Sequence, residues 1–363
     1  MKKLYFSILA ACAIVSASAA TVTTIANGNA TNPFTWSCTC IPMDGDSIII
    51  NHALVLDSDF MITSGAIMVN ASGSITGNTG TRILAISGGR FVNAGTVTIA
   101  NIYHSAGPFT NNGTMTINSI FGADMTAQPV NNSVMNVNDT LLININATLT
   151  NNGSIVCPEI GNAGMLANYG SISCDNLYNS GFLNNNSGNV NVVMNMLNSG
   201  TFNNSAPMTI GNDFLSSENV VNSNYMSCDN FYNGDTVAQT AVFTNNGTVS
   251  VAGDFVNSRT VDGTGRFCVA LVSTNSGAMN GTFDFCDLSG GSVDLNVGTI
   301  AGTITYCSSS CTIGMNEESQ SSIRVFPNPV TNILTVNIAG GNGSTVRITN
   351  ITGQVIFQQT TNG

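Results

Sequence analysis

The sequence predicts an all-β protein whose main part is a parallel β-solenoid. A short phrase recurs between about Phe91 and Val261: an apolar residue, a few Asn-rich polar residues, a Gly, then an alternating strand. Successive copies start 17 to 22 residues apart, and a period near twenty that tolerates slips is typical of a solenoid. No stretch holds the i, i+3, i+4 apolar spacing of a helix. The copies start at Phe91, Phe109, Val130, Leu149, Leu166, Leu183, Phe202, Val221 and Phe243.

Each copy of the phrase predicts one coil. In the strand Thr114–Ile117 alternation places Met115 and Ile117 on one face, and Val249 and Val251 hold the same positions in a later copy. The Asn-Asn-Gly before the strand predicts a corner, with the Gly at positive φ. A second short strand follows in many copies, so we expect two strands per coil and corner Asn side chains stacked in ladders.

Composition and charge exclude some partners. Only 7% of the 363 residues are charged and 43% are apolar, so Asn, Ser and Thr must provide solubility. After residue 20 there remain six Arg and no Lys against 19 acids, a net charge of 6 − 19 = −13. Nucleic acids and anionic membranes are bound through basic patches, so neither is an expected partner.

Residues 1–20 predict a signal peptide. Lys2 and Lys3 precede an apolar core, and Ala17-Ser-Ala19 fits a cleavage site for export. Leu9-Ala-Ala-Cys12 fits a lipoprotein box instead, and that alternative stays open. No later segment is long and apolar enough for a membrane span.

Residues 21–90 predict the N-terminal cap and first coils, ahead of the repeats at 91–262. Trp36, Pro42 and Gly45-Asp46, followed by two apolar strands, resemble the N-terminal part of many secreted right-handed β-helix proteins. A solenoid's first coil exposes a bare core, so Trp36 is expected to be a lid over it.

Catalytic side chains are scarce in the repeats. Asp57 and Asp59 alternate around Ser58, so on a strand they would share a face, either as a carboxylate pair or as a solvated surface. His52 and His104 have no Cys or acid at metal-ligand spacing and are expected at the surface or in corners. Residues 91–258 contain no Lys or Arg. The sequence therefore predicts no catalytic site, no metal site and no cofactor.

The cysteines predict disulfides near the C-terminal end of the solenoid. Cys157 and Cys174 each lie eight residues after a repeat start, so they should stack one coil apart, either as a disulfide or as part of a buried apolar column. Residues 263–315, which carry Cys268, Cys286, Cys307 and Cys311, predict a cross-linked C-terminal cap. Cys268–Cys286 with Cys307–Cys311 is one of three connectivities.

A polar linker at 316–322 leads to a distinct C-terminal segment at 323–363. It begins with Phe326-Pro327-Asn328-Pro329, continues with alternating strands and has a Gly353-Gln354 turn. This order resembles the type A C-terminal sorting domain of the type IX secretion system. The resemblance implies a partial immunoglobulin-like β-sandwich, export by the type IX secretion machinery, and a secreted or outer-surface location.

The same resemblance carries two further expectations. The family's domain has about seven strands, so 323–363 is expected to be a truncated copy with an open edge that the machinery reads poorly. Three Asp-Ser/Thr-aliphatic triplets are similar to the O-glycosylation sequon of some bacteria with this secretion route, with Ser47, Thr140 and Thr236 as acceptors.

These expectations combine into a non-catalytic surface protein. A stiff rod of repeated polar coils suits a structural or adhesive role, with glycans or other surface polymers as partners. The alternative is a polysaccharide lyase or hydrolase on the same scaffold, which would need acids and Arg along one cleft.

Overall fold

A computed structural model describes residues 19–234, 241–308 and 311, and four C-terminal strands at 323–326, 335–338, 345–349 and 355–360. The chain divides into two compact units, Met1–Ile313 and Gly314–Gly363. The first unit is the parallel β-solenoid that the repeats predict, so the predicted fold class is confirmed.

Within its described residues, the first unit contains strands β1 to β41 and one short helix. The first coils hold β1 (Thr21–Thr23), β2 (Gly28–Asn29), the 3-10 helix Pro33–Thr35, β3 (Ser47–Ile50), β4 (Ala53–Leu56), β5 (Phe60–Ile62), β6 (Ala66–Val69), β7 (Ser74–Gly77) and β8 (Ile83–Ser87). Next come β9 (Arg90–Asn93), β10 (Thr96–Ile99), β11 (Asn101–Ala106), β12 (Pro108–Asn111), β13 (Thr114–Ile117), β14 (Ile120–Ala123), β15 (Gln128–Asn131), β16 (Val134–Val137), β17 (Thr140–Ile143) and β18 (Thr148–Asn151). The middle holds β19 (Ser154–Asn162), β20 (Met165–Asn168), β21 (Ser171–Asn179), β22 (Phe182–Asn185), β23 (Asn189–Val192), β24 (Met196–Asn198), β25 (Thr201–Asn204), β26 (Met208–Ile210), β27 (Asp213–Ser216), β28 (Val220–Asn222), β29 (Tyr225–Cys228) and β30 (Asn230–Asn233). The end holds β31 (Val242–Asn245), β32 (Thr248–Val251), β33 (Phe255–Asn257), β34 (Thr260–Gly263), β35 (Arg266–Val269), β36 (Ser273–Asn275), β37 (Ala278–Met279), β38 (Asp284–Asp287), β39 (Leu295–Asn296), β40 (Thr299–Ile300) and β41 (Thr305–Tyr306).

Each coil has three strands, so the solenoid has three faces. Face one is a 15-stranded parallel sheet that runs from β1 to β40. Face two contains strands of the β10 type and face three strands of the β11 type, each paired with its equivalents one coil away. In β19 and β21 the strand passes from face two to face three without a break.

The expectation of two strands per coil is therefore wrong. The apolar residue that opens each phrase already lies in a strand: Phe109 is in β12, two residues before the inward-facing Asn111. Only Asn112 and Gly113 remain for the corner. Gly113 does not have a positive φ; a Cβ there would lie 2.2 Å from the Gly95 carbonyl oxygen, so the close approach of the preceding coil favours glycine.

The core forms columns of equivalent side chains from successive coils. Met115, Ile117, Val249 and Val251 are all fully buried, as predicted. Two of the nine repeat starts were placed one residue too late, because Pro129 and Val220 pair with Phe109 and Phe202 while Val130 and Val221 face outward. A slip of one residue exchanges the two faces of a strand.

Two ladders of Asn side chains run inside the core. In the first, the Asn111 Nδ2 donates to Asn131 Oδ1 at 2.8 Å, and Asn131 Nδ2 donates to Asn151 Oδ1 at 2.8 Å. The same Asn111 amide also donates to the Val134 carbonyl at 2.9 Å, which closes the corner to the next coil. The first ladder contains Asn93, Asn111, Asn131, Asn151, Asn168, Asn185, Asn204, Asn222 and Asn245. The second ladder contains Asn162, Asn179 and Asn198, is interrupted by Ser216, and continues with Asn233, Asn257 and Asn275 to the exposed Asn296.

Trp36 begins the core. Its side chain is fully buried, and the indole Nε1 donates to the Ala30 carbonyl at 2.9 Å. Together with Ile48 and Leu54 it belongs to the apolar cluster of the first coils, which is the position that a lid requires. A disulfide that the sequence analysis did not predict, Cys38–Cys40, lies in the exposed loop after Trp36.

The coils continue beyond residue 263. Strands β35 to β41 stack in register, so the region predicted as a cap contains further coils. Disulfides join Cys268 to Cys311 and Cys286 to Cys307. The suggested pairings of Cys268 with Cys286 and of Cys307 with Cys311 are both wrong, although Cys268 and Cys286 are in register.

Stacking one coil apart does not by itself decide whether two cysteines bond, since Cys307, which follows β41, lies beside Cys286 one coil away and is bonded to it. Cys157 and Cys174 are also neighbours in register, but both thiols are free and buried. They stand in a core column with Val137 and Val192. Of the two alternatives for these cysteines, the buried apolar column is therefore correct and the disulfide is wrong. Burial, followed by the nearby Asp175 carboxylate, raises the pKa of Cys174 to about 12.

The second unit contains two antiparallel strand pairs. β42 (Ile323–Phe326) pairs with β43 (Thr335–Ile338), and β44 (Thr345–Thr349) pairs with β45 (Val355–Thr360). The predicted linker at 316–322 and the predicted signal peptide up to residue 18 lie outside the described residues.

Candidate functional site

A row of outward apolar side chains follows face three. Its members are the outward residues in the middle of each face-three strand, and register pairing places each one beside the next. Tyr103, Tyr178 and Leu197 are 43%, 40% and 38% exposed. In coil order the row contains Met61, Ala85, Tyr103, Gly122, Leu142, Gly161, Tyr178, Leu197, Leu215, Tyr232, Val256, Thr274 and Leu295.

This apolar row has a notch at Gly161. Gly161 pairs with Leu142 on one side and with Tyr178 on the other. The cavity above it has a volume of about 200 Å³, and Leu197, Asn144 and Ser199 also line it. Gly161 is partly exposed, and a Cβ there would lie 3.0 Å from Leu142 Cδ2, so the end of the Leu142 side chain bounds the notch on one side.

The second glycine of the row leaves no comparable space. A Cβ on Gly122 would lie 3.2 Å from Cδ1 of Tyr103, so the tyrosine ring already covers that position. The notch at Gly161 is therefore a local feature of the row rather than a property of every glycine in it.

The row itself carries no charge, but carboxylates flank part of it. Asp175, Asp213, Asp229 and Asp254 lie at or beside the edge where face two meets face three. Burial, followed by the charges of Asp213, Asp254 and Asp229, raises the pKa of Tyr232. The absence of Lys and Arg from 91 to 258 leaves the potential along this edge negative.

Asp57 and Asp59 do not form a pair on a strand. They lie in the corner after β4 and bind neighbouring coils on opposite sides. Asp57 accepts hydrogen bonds from the backbone N–H of Thr31 at 3.1 Å and from its hydroxyl, whereas Asp59 accepts from the Ile83 N–H at 3.1 Å. Burial raises the pKa of Asp57 and the Thr31 hydrogen bonds lower it, and the net pKa is below its usual value. Both carboxylates thus cap coil backbones.

The two histidines have different environments. His104 is fully buried, so the expectation of a surface or corner position is wrong for it. Its Nε2 lies 2.8 Å from the Gly107 carbonyl, and burial lowers the pKa of the imidazole. His104 takes the core column that the second Asn ladder later occupies, between Ile86 and Ala123. His52 is half-buried, with its Nδ1 2.8 Å from the Thr24 carbonyl.

The three sequon residues have separate positions. Ser47 begins β3 on face one, and Thr140 begins β17 on face three; both are partly exposed. Thr140 donates to the carboxylate of Asp139 at 3.1 Å. Thr236 lies outside the described residues. Their glycosylation stays a prediction.

A polar groove lies on face two near the C-terminal end. Arg266 pairs in register with Asp284, and the groove around them has a volume of about 420 Å³. Asp284 accepts hydrogen bonds from the Thr305 hydroxyl at 2.9 Å and from the Ser308 N–H at 3.0 Å. Among the described residues, no group of three or more His, Cys, Asp or Glu side chains is arranged to hold a metal ion.

The C-terminal unit carries the motif that suggests export. Phe326 ends β42 opposite Thr335, while Pro327, Asn328, Pro329, Gly353 and Gln354 lie outside the described residues. Residues 324–363 match the family model of the secretion system C-terminal sorting domain. The match covers the sorting domain and not the solenoid, and comparison with the curated proteins and the solved structures found no match to the chain.

The sorting domain indicates the route and the destination. A type IX sorting domain marks its protein for handling by the type IX secretion machinery and for release or attachment at the outer surface, as predicted. In the part of the chain that the structure describes, no helix has the length and apolar character needed to cross a membrane.

Sequence reasoning missed the apolar row. The signal was present as pairs of adjacent apolar residues, such as Leu177-Tyr178, Phe231-Tyr232 and Phe214-Leu215, in which the first residue faces the core. An outward apolar residue breaks the alternation of a half-buried strand, so a search for alternation discards it. Alignment of the face-three strands with one another would have shown that this break in the alternation recurs from coil to coil.

Proposed function

We propose that this exported β-solenoid acts without catalysis, in a structural or adhesive role, and contacts glycan or another surface. The apolar row on face three is the observation that supports the proposal most directly. Contiguous exposed apolar surface on a soluble protein is typical of an interaction site. Here the row extends from Met61 to Leu295, so a partner that lies along the solenoid would find contacts in successive coils.

The hydrogen bonds of the acidic side chains support a role without catalysis. A glycoside hydrolase needs two carboxyl groups facing one substrate, and at least one of them must be free to exchange a proton. Asp57 and Asp59 instead cap two different coils, and the carboxylate of Asp44 accepts the N–H groups of Thr63 at 2.7 Å and Ser64 at 3.1 Å. These carboxylates stabilise corners.

Adhesion can be measured with the purified full chain coated on beads. We expect the beads to be retained on glycan-coated or cell-derived surfaces under flow, and uncoated beads to pass through. Cells that secrete the chain should likewise adhere more strongly than cells with the gene deleted. Equal retention of coated and uncoated beads on every surface, with equal adhesion of both strains, would contradict the adhesive role.

The groove at Arg266 and Asp284 favours the rival function, a carbohydrate-active enzyme. It combines one guanidinium with one carboxylate in an open polar groove. We expect the full chain to leave polygalacturonate and alginate uncleaved, with or without Ca²⁺. Turnover that disappears in Asp284→Asn, Asp57→Asn or Asp59→Asn would establish the enzyme and reject the non-catalytic proposal.

A further inference from the structure

We propose that the Gly161 notch and the apolar row beside it bind a neutral linear glycan that lies along the solenoid axis. This inference rests on the proposed adhesive function and adds to it a site and a ligand class. The ligand class follows from the shape, the side-chain chemistry and the charge of face three.

The shape of the notch fits one ring of a chain. The Tyr178 and Leu142 side chains flank it along the solenoid axis, with Gly161 at the floor beside the end of the Leu142 side chain. The cavity of about 200 Å³ also borders Leu197, the next residue of the row, so a polymer could continue past the notch over that side chain. Coils repeat about every 4.8 Å, so each further coil offers another contact to an extended chain.

The side chains match a sugar. A pyranose ring has apolar C–H faces and a polar edge of hydroxyl groups. Tyrosine offers a rigid apolar ring with a hydroxyl at its tip, and ligand sites commonly combine such apolar walls with a few polar groups. Asn144 and Ser199 supply an amide and a hydroxyl at the rim of the notch.

Charge favours a neutral glycan over an anionic one. No Lys or Arg lies between 91 and 258 to pair with a uronate or a sulfate. The carboxylates of Asp175 and Asp213 flank the row on the side of face two and repel anionic polymers. A neutral chain needs no cationic partner and is not repelled by these carboxylates, and the row itself is uncharged.

Binding of defined oligosaccharides to the full chain tests the proposal. The probes are the hexasaccharides of cellulose, chitin and laminarin as neutral chains, with oligogalacturonate as an anionic and oligoglucosamine as a cationic comparison. Isothermal titration calorimetry at low and physiological salt measures each affinity. We expect at least one neutral hexasaccharide to bind and to keep its affinity when salt is raised.

Two variants locate the site, and one serves as a matched control. Gly161→Val fills the notch, and a β-branched residue suits a strand. Tyr178→Ala removes one wall. Each should weaken binding about tenfold or more, the loss expected for a central contact. Tyr169→Ala should leave binding unchanged, because Tyr169 is 50% exposed but lies in the corner after β20, outside face three.

The outcomes separate this inference from the adhesive role. Binding of only the anionic or only the cationic probe, or equal affinity of wild type, Gly161→Val and Tyr178→Ala, would overturn the notch assignment. If Gly161→Val and Tyr178→Ala beads adhere as wild type does, adhesion stands and the notch assignment fails. If wild-type beads do not adhere to any surface while the hexasaccharide binds at the notch, the site stands and the adhesive role fails.

Discussion

At the residue scale, an Asn in the core is stabilising here because its neighbours one coil away are also Asn. The Asn151 carboxamide accepts from Asn131 at 2.8 Å and donates to Asn168 at 2.8 Å and to the Ser171 carbonyl at 2.9 Å. A buried amide costs free energy only when its hydrogen bonds are missing. The ladder therefore makes each Asn depend on its two neighbours.

Asn151→Ala should destabilise the solenoid by about 1–3 kcal/mol for each buried group that loses its partner. Asn152→Ala is the matched control, because the neighbouring Asn152 donates to Asn132 at 2.8 Å in an exposed ladder. The control should change the free energy of unfolding by less than about 0.5 kcal/mol. Chemical denaturation measures both, and equal losses would show that the buried ladder adds no stability.

The two sides of one face should respond differently to the same substitution. Val249→Asp places a carboxylate in the core, where Val249 is fully buried, and should cost several kcal/mol. Val156→Asp makes the same change on face two at a residue that is 47% exposed, and should cost little. The melting temperatures of the two variants test this difference, and an unchanged melting temperature for Val249→Asp would reject the strand register that places Val249 in the core.

His104 should make stability depend on pH. Burial lowers the pKa of His104 below its ordinary value of 6.5, so the unfolded chain binds the proton more readily than the folded one. Stability is therefore full above that ordinary pKa and falls as the pH drops from it toward the lower folded pKa. Melting between about pH 7.5 and pH 5 should show this loss, and His104→Leu should flatten it.

His52→Gln is the control for the pH experiment because it keeps His104 and its share of the pH dependence. If His104→Leu loses as much stability on acidification as the wild type does, another group carries the effect. The sequence could not foresee this site, because His104 has the neighbours of a surface residue in the chain and acquires core neighbours only through stacking.

At the element scale, the sequence predicts the strands of faces two and three but not the face-one strands, because Asn111 and its equivalents face inward there and were expected in corners. Met115 and Ile117 in β13 alternate with threonines and were assigned correctly. In β14 Phe121, Gly122 and Ala123 are all buried, because the Tyr103 ring covers Gly122 from outside, so no alternation marks the strand. The sequence predicts the face-three strand as the second short strand of the coil, but its outward apolar residues break the alternation, so the apolar row was missed.

The disulfides show a second limit of prediction from sequence, since the partner of each cysteine depends on the path of the chain between coils. Cys286→Ser with Cys307→Ser should remove about 3 kcal/mol of local stability, the value for a loop of 21 residues. Hydrogen exchange should quicken in β38 and β41 and stay slow in the middle coils. Cys38→Ser with Cys40→Ser is the control and should leave β38 and β41 unchanged. Uniform loss of protection along the solenoid would contradict a local effect.

At the scale of the whole molecule, contacts run mainly between adjacent coils. Strand pairing joins each coil to the one before and the one after, so the stability of a solenoid is close to a sum of coil and interface contributions. Trp36 and the two C-terminal disulfides lie in the first and last described coils. Unfolding that begins in a terminal coil should therefore proceed inward one coil at a time.

The in-register ladders have one more consequence, which concerns inheritance. A gene segment for one coil, such as the 17 residues from Leu149 to the residue before Leu166, encodes a complete set of partners for either neighbour. Unequal recombination between two such segments adds or removes a coil while every column stays continuous. The reach of the protein can then lengthen or shorten in steps of about 4.8 Å, by copying alone.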